Sequence, residues 1–121
     1  MTSKRRRGRS LTLPPDQVRL LHIRDATQSA ARFIAGRQRE DLETDEMLRL
    51  ALTKLVEIVG EAAKQLSIEE RERHPGIEWD DAARMRDRLV HHYFDIDLDV
   101  LWATVTIDLP AVLTALGPAP A

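Results

Sequence analysis

The chain contains no cysteine, which excludes disulfides, thiolate nucleophiles and thiolate metal ligands and leaves nothing that calls for an oxidising compartment. Aromatic residues make up only 4%, so Trp79 and Trp102 are expected as core anchors or subunit contacts rather than as a base-stacking platform, which needs several exposed rings. No apolar stretch approaches the roughly 20 residues that span a bilayer. The basic residues 4–9 are followed by no apolar signal core. Strand alternation and hairpin turn signals are also missing. These absences point to a soluble, cytoplasmic, helical protein.

What is present agrees. A length of 121 residues suits one domain with a real core. A hydrophobic content of 43% with 31% charged residues suits helices with solvated outer faces. The net charge of −2 hides an asymmetry: Lys4, Arg5, Arg6, Arg7 and Arg9 hold 5 of the 18 basic residues, leaving 13 against 20 acids, or −7, from Ser10 onward. Such a basic tail is either a solubilising extension or a contact for RNA phosphates or an acidic partner.

Residues 1–13 read as a flexible tail, 14–117 as the helical domain and 118–121 as a flexible C-terminus. Pro14-Pro15-Asp16 opens a first helix, because proline is tolerated in a first turn. Val18, Leu21, Ala26, Ala30, Phe33 and Ile34 continue it at roughly helical spacing, up to Gly36. A polar connection, 37–43, precedes a second helix opening at Thr44. Its stripe of Leu48, Ala51, Leu52, Leu55, Val59, Ala62, Ala63 and Leu66 runs in steps of three and four. Residues 67–76 form a connection ending at His74-Pro75-Gly76. Asp80 or Asp81 caps a third helix reaching about Phe94, and Asp97 or Asp99 caps a fourth through Leu101, Val105, Leu109 and Leu116. Pro110 should kink that helix or lift its halves apart. The fold class is all-α, an up-and-down bundle of four or five helices, with the second and fourth expected to bury most surface.

One segment gathers chemistry. Residues 85–94, Met-Arg-Asp-Arg-Leu-Val-His-His-Tyr-Phe, hold two arginines, two histidines, an acid and a phenol. On a continuous helix Asp87 lies one turn from His91 and can orient the imidazole for general acid or base work. Arg86, always charged and forked, suits a phosphodiester and the charge that builds up on it. Arg86 and His91, however, diverge by about 140° on a regular helix, so a twofold dimer juxtaposing two copies would be needed to bring them together. Arg88 either assists phosphate binding or is solvated. Glu61 either holds Arg86 from the neighbouring helix or is a surface acid beside Lys54 and Lys64. His22 and His74 show no ligand spacing, and no metal or other cofactor is expected.

The spacing Arg-x4-His-x-Tyr at Arg86, His91 and Tyr93 resembles the signature of HEPN-domain proteins of the HepT kind, toxins paired with an MntA-like minimal nucleotidyltransferase antitoxin. Val59-Gly60-Glu61-Ala62-Ala63-Lys64, His74-Pro75 through Trp79, Phe94-Asp95-Ile96-Asp97, Leu101-Trp102 and Asp108-Leu109-Pro110 resemble the family's flanking segments. The likeness covers about residues 16–117. It implies a HEPN-type homodimer that cleaves RNA without metal, with Arg86 on the scissile phosphate and His91 moving protons. Tyr93 would accept AMP from the antitoxin, silencing the toxin. The family commonly has Asn where Asp87 stands, which leaves the hydrogen bonding there open. The alternative is a non-catalytic helical module that binds a nucleotide or the nucleotidyltransferase.

Overall fold

The computed structural model describes residues 14–92 and 95–118, with His91 and His92 described by their backbone alone. The basic tail, Tyr93, Phe94 and the last three residues lie outside the described residues. The first helix, α1, spans Pro15–Ile34, with proline in its first turn and Gly36 beyond its end at φ 73°, a conformation glycine adopts without a Cβ clash.

The stretch expected as a plain connection contains a short helix, α2, at Asp41–Thr44. Helix α3, Glu46–Gln65, starts two residues beyond Thr44, because Asp45 caps it, its carboxylate accepting from the Leu48 N–H at 3.0 Å. That N–H, with Arg37 beside it, holds the Asp45 carboxyl below its ordinary range. A further short helix, α4 at Ile68–Glu72, is capped by the Ser67 hydroxyl. Ser67 also donates its N–H and hydroxyl to Asp16 at 2.9 and 2.6 Å, tying this corner to the first turn of α1.

The expected third helix is two helices and does not reach Phe94. Helix α5 spans Trp79–Ala83 and α6 spans Met85–Leu89, separated by Arg84. At Val90 the backbone turns extended, with φ −107° and ψ 112°. Strand β1, Val90–His92, pairs antiparallel with β2, Asp95–Ile96. The Leu89 carbonyl accepts from the Asp97 N–H at 2.8 Å, which closes the loop onto the end of α6. A β-branched residue next to a returning strand finds its backbone partners there instead of in another helical turn.

Asp97 caps α7, Leu98–Ala103, by accepting from Val100 N–H at 3.0 Å. A wide π turn at Thr104–Asp108 follows, then α8 at Leu109–Leu116. Pro110 therefore does not part the helix. The π turn passes the Leu109 N–H to the Thr104 carbonyl, and the proline falls in the first turn after it, where its missing donor does no harm. The resulting run, Leu98–Leu116, has 19 residues and, among the described residues, is long and apolar enough to cross a membrane by length and composition. This corrects the expectation that no stretch reaches such a length. Its Leu101, Val105, Leu109 and Leu116 are buried, so one face of this run packs into the bundle core.

The most extensive contact is α1 against α3, with α5 and α6 also packed on α3. The second and last long helices supply most of the fully enclosed side chains, as expected: Leu52, Val56 and Val59 from α3, and Leu101, Thr104, Val105 and Leu109 from the Leu98–Leu116 run. Ile23, Leu52, Val56, Leu89 and Leu101 are fully enclosed, and each contributes about 1.5–3 kcal/mol of burial free energy. Val56 was missing from the expected stripe, whereas Ala51 and Leu55 from that stripe are only half-buried. Trp79 is the expected core anchor, its indole N–H donating to the Arg71 and His74 carbonyls at 3.0 and 3.2 Å.

Candidate active site

Helix α6 is held down by Met85 and Leu89, which are 4% and 0% exposed. Arg86 lies between them in sequence and on the outer side of the helix, half exposed, facing α3. Close approach of the two layers depends on Gly60. A Cβ there would meet the Ala83 carbonyl oxygen at 3.3 Å, tighter than ordinary contact. The family-like glycine thus sets how near the α5–α6 segment comes to α3.

Between α3 and α6 runs a groove of about 340 Å³ lined by Lys54, Glu57, Ile58, Glu61, Lys64, Arg86 and Asp87. Arg86 Nε sits 3.3 Å from Glu57 Oε2, and its Nη1 lies 4.0 Å from the Asp87 carboxylate. The other Glu57 oxygen accepts from Lys54 Nζ at 2.9 Å. The Lys54 ammonium, followed by the charge of Arg86, holds the Glu57 carboxyl below its ordinary range and so keeps it ionised around neutrality.

The expected site residues divide. Arg86, Asp87 and Glu61 share the groove. Glu61 does not hold Arg86; it accepts from the Gln65 side-chain amide at 3.1 Å, one turn along its own helix, and Glu57 takes the place proposed for it. Arg88 is not in this groove. It lies against Asp81, 3.6 Å from that carboxylate, in a separate cavity lined also by Glu78, Asp108 and Ala111. The side chain of His91 and the whole of Tyr93 lie outside the described residues.

The backbone nevertheless changes the geometry expected of Arg86 and His91. Because α6 ends at Leu89, the 140° divergence calculated for a regular helix does not apply. His91 lies on β1, between Val90, which pairs with Ile96, and His92, which pairs with Asp95. One more residue stands on β1 than on β2 across this interval, the pattern of a β-bulge, a device that redirects chain and side chain beside functional sites. The stacking of Asp87 one turn before His91 falls with the same helix.

Glu57 and Lys54 were not singled out as functional. The available signal was the spacing of Lys54, Glu57, Glu61 and Lys64 at steps of three, four and three, a charged stripe along α3. That spacing says which residues share a face, not which face meets Arg86. Among the described residues, no group of three or more His, Asp or Glu side chains is placed to hold one metal ion.

Residues 23–117 match the family described as ribonuclease HepT-like. A probable ribonuclease HepT of Thermococcus cleftensis is 42% identical over 73 residues, 60% of this chain and 66% of that protein. A putative RNase of Caldanaerobacter subterraneus is 35% identical over 91 residues, 75% of this chain and 81% of that protein. A Methanocaldococcus jannaschii protein described as gamma-glutamylcyclotransferase and putative RNase is 34% identical over 94 residues, 78% of this chain but 42% of that protein. No solved structure matches the chain.

Proposed function

The chain belongs to the HepT-like ribonuclease family, and on that premise we propose that it is an RNA endonuclease, working without a metal ion, in which Arg86 binds the scissile phosphate and His91 moves the proton. The observation that carries this reading is Arg86 itself: half exposed on the rim of a groove, held at its Nε edge, in the motif segment and five residues ahead of His91. In the reaction, the ribose 2′-oxygen attacks phosphorus as its proton leaves to a base, and the bond from phosphorus to the 5′-oxygen breaks. The leaving oxygen takes up a proton, and a 2′,3′-cyclic phosphate and a 5′-hydroxyl result. His91 serves one of the two proton transfers, and Arg86 offsets the charge on the phosphoryl oxygens.

The reading extends to a cytoplasmic toxin acting as a homodimer, with an MntA-like nucleotidyltransferase partner that silences it by placing AMP on Tyr93. The dimer rests on family resemblance, since the helix geometry that first called for a second copy does not hold.

The test is cleavage of a labelled RNA by purified protein in EDTA, together with growth of cells expressing it alone. Arg86→Ala and His91→Ala should each abolish cleavage and restore growth; wild-type behaviour in both variants overturns the proposal. The rate should fall as pH moves away from the imidazole pKa, about 6.5.

One observation favours the second reading in its protein-binding form, a non-catalytic module that binds a nucleotidyltransferase. The groove sets Glu57, Glu61 and Asp87 against Lys54, Lys64 and Arg86, a balance that offers a polyanion little net attraction. In that case the protein binds its ligand with little change between about pH 6 and 8 and cleaves no RNA.

A further inference from the structure

Glu57 bridges two cations with its two oxygens, Oε1 to Lys54 at 2.9 Å and Oε2 to Arg86 at 3.3 Å. Its side chain is 41% exposed and that of Arg86 50%. Ion pairs this exposed contribute between nothing and about 1 kcal/mol to stability, because water screens them and two long side chains lose freedom. Stability therefore gives little reason for a carboxylate in this place. A site for phosphate gives a reason against it, since an anion at Arg86 would meet the Glu57 charge as well.

Geometry resolves the conflict. The Glu57 pair engages Nε, along one edge of the guanidinium, and leaves the two terminal nitrogens outside this contact, with Nη1 met only at 4.0 Å by the Asp87 carboxylate. A guanidinium recognises phosphate in forked fashion through a pair of adjacent N–H groups, and it does so well only when its plane is fixed. Tethering one edge removes rotamers of a side chain that is otherwise free on a helix surface. The Lys54 hydrogen bond on the opposite oxygen fixes the tether in turn. Both partners stand on helices, which hold such contacts more closely than loops do.

We propose that Glu57 is a positioning residue for Arg86, holding the guanidinium by Nε so that its terminal nitrogens are presented to an RNA phosphate. This rests on the reading of Arg86 as the phosphate-binding group. Glu57 itself does not touch the substrate. It trades some affinity, through its repulsion of the phosphate, for alignment in the transition state.

The experiment measures kcat and KM for a fluorescent single-stranded RNA oligonucleotide with the full chain and its Glu57→Gln, Glu57→Asp and Arg86→Ala variants. Glutamine keeps the size of the side chain and removes the charge that grips Arg86. Loss of alignment predicts a drop in kcat of roughly tenfold to a hundredfold, with KM unchanged or lower, because the repulsion is removed as well. Aspartate keeps the charge on a shorter arm and should recover part of kcat. The urea midpoint should be the same for Glu57→Gln and the parent. Wild-type kcat in Glu57→Gln, with Arg86→Ala inactive, overturns the positioning role and leaves the phosphate reading standing. A rise in KM with kcat intact also overturns it, because Glu57 would then serve ground-state binding alone. Wild-type cleavage by Arg86→Ala sinks the phosphate reading itself.

Discussion

Two glutamates one side chain apart in chemistry do opposite work in this protein. Glu70, on α4, is 6% exposed at its side chain and takes Arg73 Nη1 at 2.6 Å on one oxygen and His74 Nε2 at 3.0 Å on the other. Glu57, on α3, also has one base on each oxygen, yet both it and Arg86 are open to water. The Glu70 cluster packs beside Trp79, whose ring meets that of His74 edge to face with centroids 6.3 Å apart. Enclosure makes each hydrogen bond expensive to lose, and such a cluster serves the fold. Exposure leaves a pair that is cheap to disturb, and such a pair remains available to a ligand.

The contrast can be broken at several points. The largest stability effect is expected from another enclosed charge, Arg24, which is 8% exposed and donates to the Leu116, Gly117 and Pro118 carbonyls at 2.6–3.4 Å. It satisfies the end of α8 from α1. Arg24→Ala should cost about 3 kcal/mol in urea unfolding, at the upper end for charge-assisted hydrogen bonds. Glu70→Ala should follow at about 2 kcal/mol, reduced because Arg73 is left facing water rather than buried. If either loss is below about 0.5 kcal/mol, enclosure is not what separates the two regions.

Gly60 sharpens the comparison at the boundary between them. Gly60→Val should destabilise by about 2 kcal/mol, because branched carbons must enter against the Ala82 and Ala83 carbonyls. Gly60→Ala should fall within about 1 kcal/mol of the parent, since better helix propensity offsets a single tight contact. Below these comes the Glu57–Arg86 pair, whose coupling in a double-mutant cycle should be under about 1 kcal/mol. A coupling several times larger would make it a structural bridge.

The smallest effect concerns acid. The Asp16 carboxyl is lowered from its ordinary value, first by the Ser67 hydroxyl and then by the Ser67 N–H. Its contribution is therefore complete above the unfolded pKa, about 3.9, and is lost as pH falls through the lower folded value. Thermal midpoints measured from pH 5 downward should fall less steeply in Ser67→Ala than in the parent. Parallel curves would show that the contact does not titrate with folding.

The comparison also explains which parts were legible in residue order alone. Helices α1 and α3 announce themselves through apolar steps of three and four, and Asp97 through its place before Leu98, because periodicity and capping are settled within one or two turns. Arg86 was singled out as a candidate from its neighbours in the motif. Its partner was not. Glu57 and Glu61 are one turn apart on α3, and composition and spacing rank them alike. Which of them faces Arg86 depends on where α6 packs along α3, which spacing within either segment does not specify.

The same division accounts for the end of α6. Val90 and His91 carry on the pattern of a helix, and nothing local stops it. The turn to an extended backbone follows from the return of Ile96 and Asp97, whose backbone groups pair with Val90 and Leu89. Pro110 gave a local warning of a break, but the π turn before it is a response of the whole helix, which keeps Leu101, Val105 and Leu109 on one buried face. Residue order alone thus determined the helical class, the motif and most of the apolar faces, because these depend on interactions within a few residues. Tertiary structure alone decided the ion-pair partner, the helix-to-strand switch and the accommodated proline, because each depends on where a distant segment packs.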